Sequence, residues 1–293
     1  MRYAEIKRVV RGVYCDLQCN HTMAIAAGLS YYFLLSLFPL LIFLAAILPY
    51  LPIPDLFNQI LDLMARFVPA AGMDTVRQIV KGIMFPPRSG LLSFGFLATV
   101  WAATGGFAAM IEALNVAYDV PETRPYWHTR MLAFVLTFIV GALVVVSLIF
   151  TLLGPQFGDV LASHRYAGPA FAATWPYVRW GINLAAITIS IEVLYFWAPN
   201  VKQSFRCSLP GVFVGLLGWV AVSYALSQYI GKFANYNATY GTIGGVIALM
   251  LWFYFSSLAI LIGAEVNAEL LKNKGQVLPV KETPADVEKM RAA

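Results

Sequence analysis

The stretch that decides the fold is Gly231–Lys272, GKFANYNATYGTIGGVIALMLWFYFSSLAILIGAEVNAELLK. After Lys232 no charged side chain occurs until Glu265, a run longer than the ~20 apolar residues that cross a hydrocarbon core. It opens with Asn235, Tyr236, Asn237, Tyr240 and Gly241, which read as a polar, aromatic turn. It closes on Glu265, Asn267 and Glu269, just ahead of Lys272 and Lys274. A transmembrane helix with acids near one end is the reading that organises the rest of the chain.

Five more charge-poor runs precede it. Together they predict six spans, at about 24–48, 91–113, 131–153, 178–198, 209–230 and 242–266. Helices are the expected solution because hydrocarbon offers no partner to an unpaired backbone group. With 60% hydrophobic and 12% charged residues in 293, composition leaves little room for a separate soluble domain. The predicted class is all-α and polytopic, with 1–272 as a single transmembrane domain and 273–293 as a mobile polar tail.

Outside the spans, residues 4–20 predict an amphipathic helix. Ile6, Val9, Val10, Val13, Tyr14 and Leu17 share one face, and Lys7, Arg8 and Arg11 the other. Such a helix beside a span lies in the headgroup plane or packs on the bundle; the first is the expectation. The connection 55–88 carries two helical stripes, Leu56, Ile60, Leu63, Met64, Phe67 and Val76, Ile79, Val80, Ile83. They suit a helical pair that caps the bundle or lies on the outer leaflet.

Charge sets the orientation. Of the 20 Lys and Arg residues, 13 fall on the side that holds both termini and 7 on the other. The positive-inside rule therefore places both termini in the cytoplasm, and the net charge of +5 is topological. No nucleic-acid partner is needed to explain it. Membrane lipids are the expected surroundings, and nothing in the pattern fixes the oligomeric state.

Within the spans, Glu112, Glu192 and Glu265 each precede a boundary marker (Asp119, Pro199, Lys272) by seven residues. At ~1.5 Å per residue that is a shared depth of about 10 Å. Asn115 and Asn267 accompany two of them, and Tyr31 and Tyr32 enter at a similar level from the first span. Acids inside a membrane are tolerated where they face the bundle interior, water or a partner. These seven residues are the candidate lining of a cytoplasm-facing polar cavity for a small solute, ion or lipid. Structural anchoring at the interface is the plain alternative for Glu112 and Glu265. Gly211, Gly215 and Gly218 give the fifth span a small-residue face for close helix packing.

Other chemistry finds little support. Cys15, Cys19 and His21 lack a fourth metal ligand, and no GxxxxGK[ST], GxSxG or HExxH occurs. No cofactor, metal or nucleotide hydrolysis is expected. The rival readings are a non-transporting envelope scaffold and, least favoured, a ribonuclease.

Residues 26–44 (AAGLSYYFLLSLFPLLIFL), 101–120 (WAATGGFAAMIEALNVAYDV), the Trp197–Asn200 turn, 209–215 (LPGVFVG) and 263–270 (GAEVNAEL) form an ordered set. It resembles the YihY/BrkB family of bacterial inner-membrane proteins, once mislabelled ribonuclease BN. The resemblance spans roughly residues 5–272. It implies six helices, cytoplasmic termini and residence in the inner membrane, and it supplies no catalytic residue.

Overall fold

Seven helices make up the described residues of the computed structural model, which are 3–47, 50, 89–152, 169–232 and 237–273. They are α1 (Tyr3–Cys19), α2 (Thr22–Ile47), α3 (Ser89–Ala117), α4 (Tyr126–Leu152), α5 (Pro169–Trp197), α6 (Phe205–Lys232) and α7 (Asn237–Asn273). No strand occurs among the described residues. Six helices, α2 to α7, are long and apolar enough to cross a membrane. The predicted helical pair in 55–88 and the tail beyond 273 lie outside the described residues, as does most of 154–176.

The helices overrun the apolar runs that reveal them. α4 begins at Tyr126, where the span reading begins at 131, and α7 continues to Asn273 past a predicted end at 266. Backbone hydrogen bonding does not stop where apolarity stops, so the termini are set by caps instead. At the end of α3, Val120 N donates to Asn115 O and Asp119 N to Val116 O, both at 3.0 Å. Asp119 sits between them with φ 53°, the Schellman closure in a left-handed residue. Pro125 starts α4, its carbonyl accepting from His128 N at 2.9 Å. One expectation is corrected: Asn237, Tyr240 and Gly241 are helical residues of α7, not a turn. Gly and Asn lower helix propensity, but a span that satisfies its own backbone overrides them.

The chain divides into two compact units. One is Tyr32–Ala103, holding the later part of α2 and the earlier part of α3. There a Cβ on Gly95 would stand 3.1 Å from the backbone of Phe43, and the rings of Phe43 and Phe96 are 5.6 Å apart. α2 continues through Pro39, with Ser36 Oγ donating to Phe33 O at 2.8 Å. The other unit comprises Met1–Tyr31 and the chain from Thr104 onward. In it α6 packs along α7, α4 and α6 pack on α5, and α1 packs on α7.

The stripe of α1 divides on the structure. Val9 and Val13 are buried with Leu270, and Leu17 and Val266 pack against them. Val10 and Tyr14, from the same predicted face, stay exposed. α1 therefore presents its apolar residues to α7 on one flank and to the surroundings on the other.

Candidate functional site

The site begins with a serine that the span pattern gives no reason to notice. Ser208 lies in the first turn of α6, fully buried, and its hydroxyl donates to Glu192 Oε1 of α5. The same hydroxyl is 2.8 Å from Phe205 O, so one proton serves two acceptors. Ser208 O accepts from Asn267 Nδ2 of α7 at 2.9 Å, while Gly211 N donates to Asn267 Oδ1 at 2.7 Å. The amide of Asn267 thus fills both of its functions on the backbone of α6. Glu192 is 3% exposed, and its Oε2 has no hydrogen-bond partner among the described residues.

Glycine makes that approach feasible. A Cβ on Gly211 would overlap Gly263 O and the amide of Asn267, and a Cβ on Gly215 would stand 2.7 Å from the Tyr195 hydroxyl. Tyr195, fully buried on α5, donates to Ile260 O of α7 at 2.5 Å. Gly218 faces Ala259 at 3.1 Å by the same measure. Gly263, one turn before Asn267, is the matching small residue of α7. Tyr118, just past α3, is also fully buried, and burial pushes its phenol up to about 12.

Glu265 occupies a second neighbourhood. It is fully buried, and its Oε1 accepts from Thr22 Oγ1 at 3.2 Å and Asn20 Nδ2 at 3.4 Å, both at the α1–α2 junction. His21 turns the chain there with φ 51°. Glu265 Oε2 has no hydrogen-bond partner among the described residues. Beyond it, Lys272 Nζ is held by Asp119 at 2.7 Å, Glu269 at 2.8 Å and Asp16 at 2.9 Å. One ammonium so ties α1, the end of α3 and α7 together. Burial pushes the Asp16 carboxyl up, although Lys272 opposes it.

Asn115 belongs to a third neighbourhood, between the α3–α4 and α5–α6 connections. Its Oδ1 accepts from Asn200 N at 2.7 Å and its Nδ2 donates to Glu122 Oε2 at 2.8 Å. Arg124 donates through Nε to Glu122 Oε1 at 2.8 Å and through Nη2 to Glu122 Oε2 at 2.7 Å. Nη2 also reaches Ala198 O, at 2.8 Å. Burial alone would raise Glu122, but the bonds from Arg124 and Asn115 outweigh it and hold the carboxyl below its usual range.

The buried candidates of the larger unit therefore fall into separate neighbourhoods. Glu192 and Asn267 meet at Ser208, Glu265 sits under the α1–α2 junction, and Asn115 belongs to the connections. Glu112 is exposed on α3, and Tyr31 and Tyr32 are 53% and 45% exposed. Sequence reasoning missed Ser208, Thr22, Asn20 and the Lys272 clasp. The spacing Gly263–x3–Asn267 was the one available signal, a small residue beside an amide on a single helix face.

The chain matches the family described as Virulence factor BrkB over residues 13–287. It belongs to that family. A relative from Bacillus subtilis (strain 168), YfkH, whose name calls it ribonuclease-like, is 39% identical over 85% of this chain and 90% of its own. A UPF0761 membrane protein of Mannheimia succiniciproducens is 24% identical over 91% of this chain and 90% of its own. Another, from Alkalilimnicola ehrlichii, is 28% identical over 84% of this chain but only 54% of its own length, so this chain spans about half of that relative. No solved structure matches. The UPF0761 names speak of membrane proteins, and neither they nor the BrkB description states a reaction. This chain is an integral membrane protein of that family.

Proposed function

We propose that the protein handles a small solute, ion or lipid in the bacterial inner membrane, as a transporter that works without nucleotide hydrolysis. Both termini lie in the cytoplasm in this reading. The observation that carries it is the pair Glu192 and Glu265: each is buried within a membrane helix, and each has one carboxylate oxygen without a hydrogen-bond partner among the described residues. An intramembrane acid without a cation beside it is costly, and such groups mark substrate or ion paths. Their neighbours here are hydroxyls and amides, partners that can be exchanged for water or solute when helices part. Glu192, where α5, α6 and α7 meet, is the residue such an opening would uncover toward the cytoplasm. The protein is not an enzyme in this reading, and the ribonuclease-like name stays with YfkH.

The test replaces Cys15, Cys19 and Cys207, places a single cysteine at position 192, and applies a small charged thiol reagent from the cytoplasmic side. Position 192 and positions three or four residues away on α5 should react, and the opposite face should not. If position 192 stays unmodified while lipid-borne quenchers reach it, the transport reading fails and the envelope scaffold replaces it.

A further inference from the structure

A cavity of about 560 Å³ opens beside the Arg124 clasp, within the ~300–1,000 Å³ usual for small-molecule sites. Its lining has two characters. Leu132 of α4 and Phe196 and Trp197 of α5 supply an apolar wall, and Arg124, Asn200 and Lys202 supply a polar one. Its place is fixed by the spans themselves: α4 enters its apolar stretch at Tyr126 and α5 leaves its own at Trp197. The cavity therefore straddles a membrane–water boundary, whichever side that boundary faces.

Charge narrows the occupant. Arg124 is neutralised by Glu122: its Nε and Nη2 donate to Glu122 and Ala198 O, and Nη1 reaches Trp197 O at 3.5 Å. Asn200 is fixed as well, its Nδ2 donating to Thr123 Oγ1 at 2.7 Å and Pro121 O at 3.1 Å. Lys202, exposed, has no ion-pair partner among the described residues, so its ammonium is the uncompensated charge of a rigid polar wall. One turn along α4 from Leu132, Val135 is exposed and extends the apolar wall, and Trp127 stands out at 78% exposed near the helix start. A free anion would use the lysine alone. An amphiphile with a phosphate at the boundary and acyl chains along α4 uses both walls.

We infer that this cavity binds the phosphodiester headgroup of an anionic glycerophospholipid, with Lys202 as its counter-charge and Leu132, Phe196 and Trp197 against the glycerol and upper acyl chains. The inference does not rest on transport through Glu192. The test is native mass spectrometry of the full-length protein in neutral detergent with an equimolar mixture of phosphatidylglycerol and phosphatidylcholine. The wild type should retain phosphatidylglycerol about fivefold over phosphatidylcholine, the factor expected of one lysine at an anionic headgroup. Lys202→Gln should abolish the preference and Lys202→Arg should keep it. Leu132→Trp should lower retention of both lipids by filling the apolar wall. Arg206→Gln, which removes an exposed cation outside the cavity, should change nothing. Equal retention by the wild type, or a preference that survives Lys202→Gln or is lost equally in Arg206→Gln, would overturn the site. Displacement of the lipid by excess glycerol phosphate would show a water-soluble phosphate ester as the ligand, and overturn the lipid assignment.

Discussion

At Gly211 the space for a side chain is already occupied, by Gly263 O and the amide of Asn267. The obstacle is partly backbone, which a rotamer change cannot move aside. Gly211→Ala should therefore separate α6 from α7 and cost about 1–3 kcal/mol, the usual range for overpacking. At Gly105, in α3, a Cβ would meet nothing within 4 Å. Gly105→Ala should gain about 0.5–1 kcal/mol from helix propensity. Thermal unfolding of both variants in detergent checks the pair; a melting temperature for Gly211→Ala equal to wild type would show that the helices are not locked there. The glycine face of α6 was legible in the sequence because small residues at helical spacing have few other uses. Which acids lie inside was not. Glu112 and Glu265 share a depth, which residue counting gives, yet one is exposed and the other fully buried. Counting does not give the direction around the helix, and lipid and helix core are both apolar, so hydrophobic pattern cannot separate them.

Among elements, α1 shows how one pattern suits two partners. A stripe of Val9, Val10, Val13, Tyr14 and Leu17 would serve a membrane surface or a neighbouring helix equally well. The contacts with Leu270 and Val266 place part of it on α7, and the ion cluster accounts for the register. Lys272 binds Asp16 of α1, Asp119 beyond α3 and Glu269 of its own helix. Removing the ammonium leaves three carboxylates facing one another, and repulsion falls on the element with least burial. Lys272→Gln should therefore loosen α1 while the spans hold. Hydrogen exchange would show faster exchange over residues 3–19 and unchanged protection in α6 and α7. Equal protection of α1 in variant and wild type would assign its docking to Val9 and Val13 alone. The sequence announced this helix by its amphipathic period, but not its partner, because Lys272 and Asp16 are joined only after the chain has crossed the membrane region and returned.

For the whole molecule, the number of spans and the placement of cations have to agree. Six candidate spans among the described residues, an even number, would return the chain to its starting side. That side carries 13 of the 20 Lys and Arg residues, including Arg2, Lys7, Arg8 and Arg11 before the first span. Turning the molecule over would send the larger cationic share through the membrane, against the bias that retains short basic segments in the cytoplasm. The α1–α7 clasp adds a structural constraint: Asp16 and Lys272 are ion-paired, so the segments flanking the first and last spans lie on one side in any orientation. Reporter fusions should therefore report cytoplasm at residues 1–20, 121–128, 200–206 and 272–293, and the periplasm at 55–88, 155–176 and 232–240. A periplasmic signal from the C-terminal fusion with a cytoplasmic one from the N-terminal fusion would break the span count. A periplasmic signal from both would keep the six helices and the clasp but reverse the charge argument. Glu192 and Glu265 would then open toward the envelope rather than the cytoplasm, and the direction of any coupled movement through them would reverse as well.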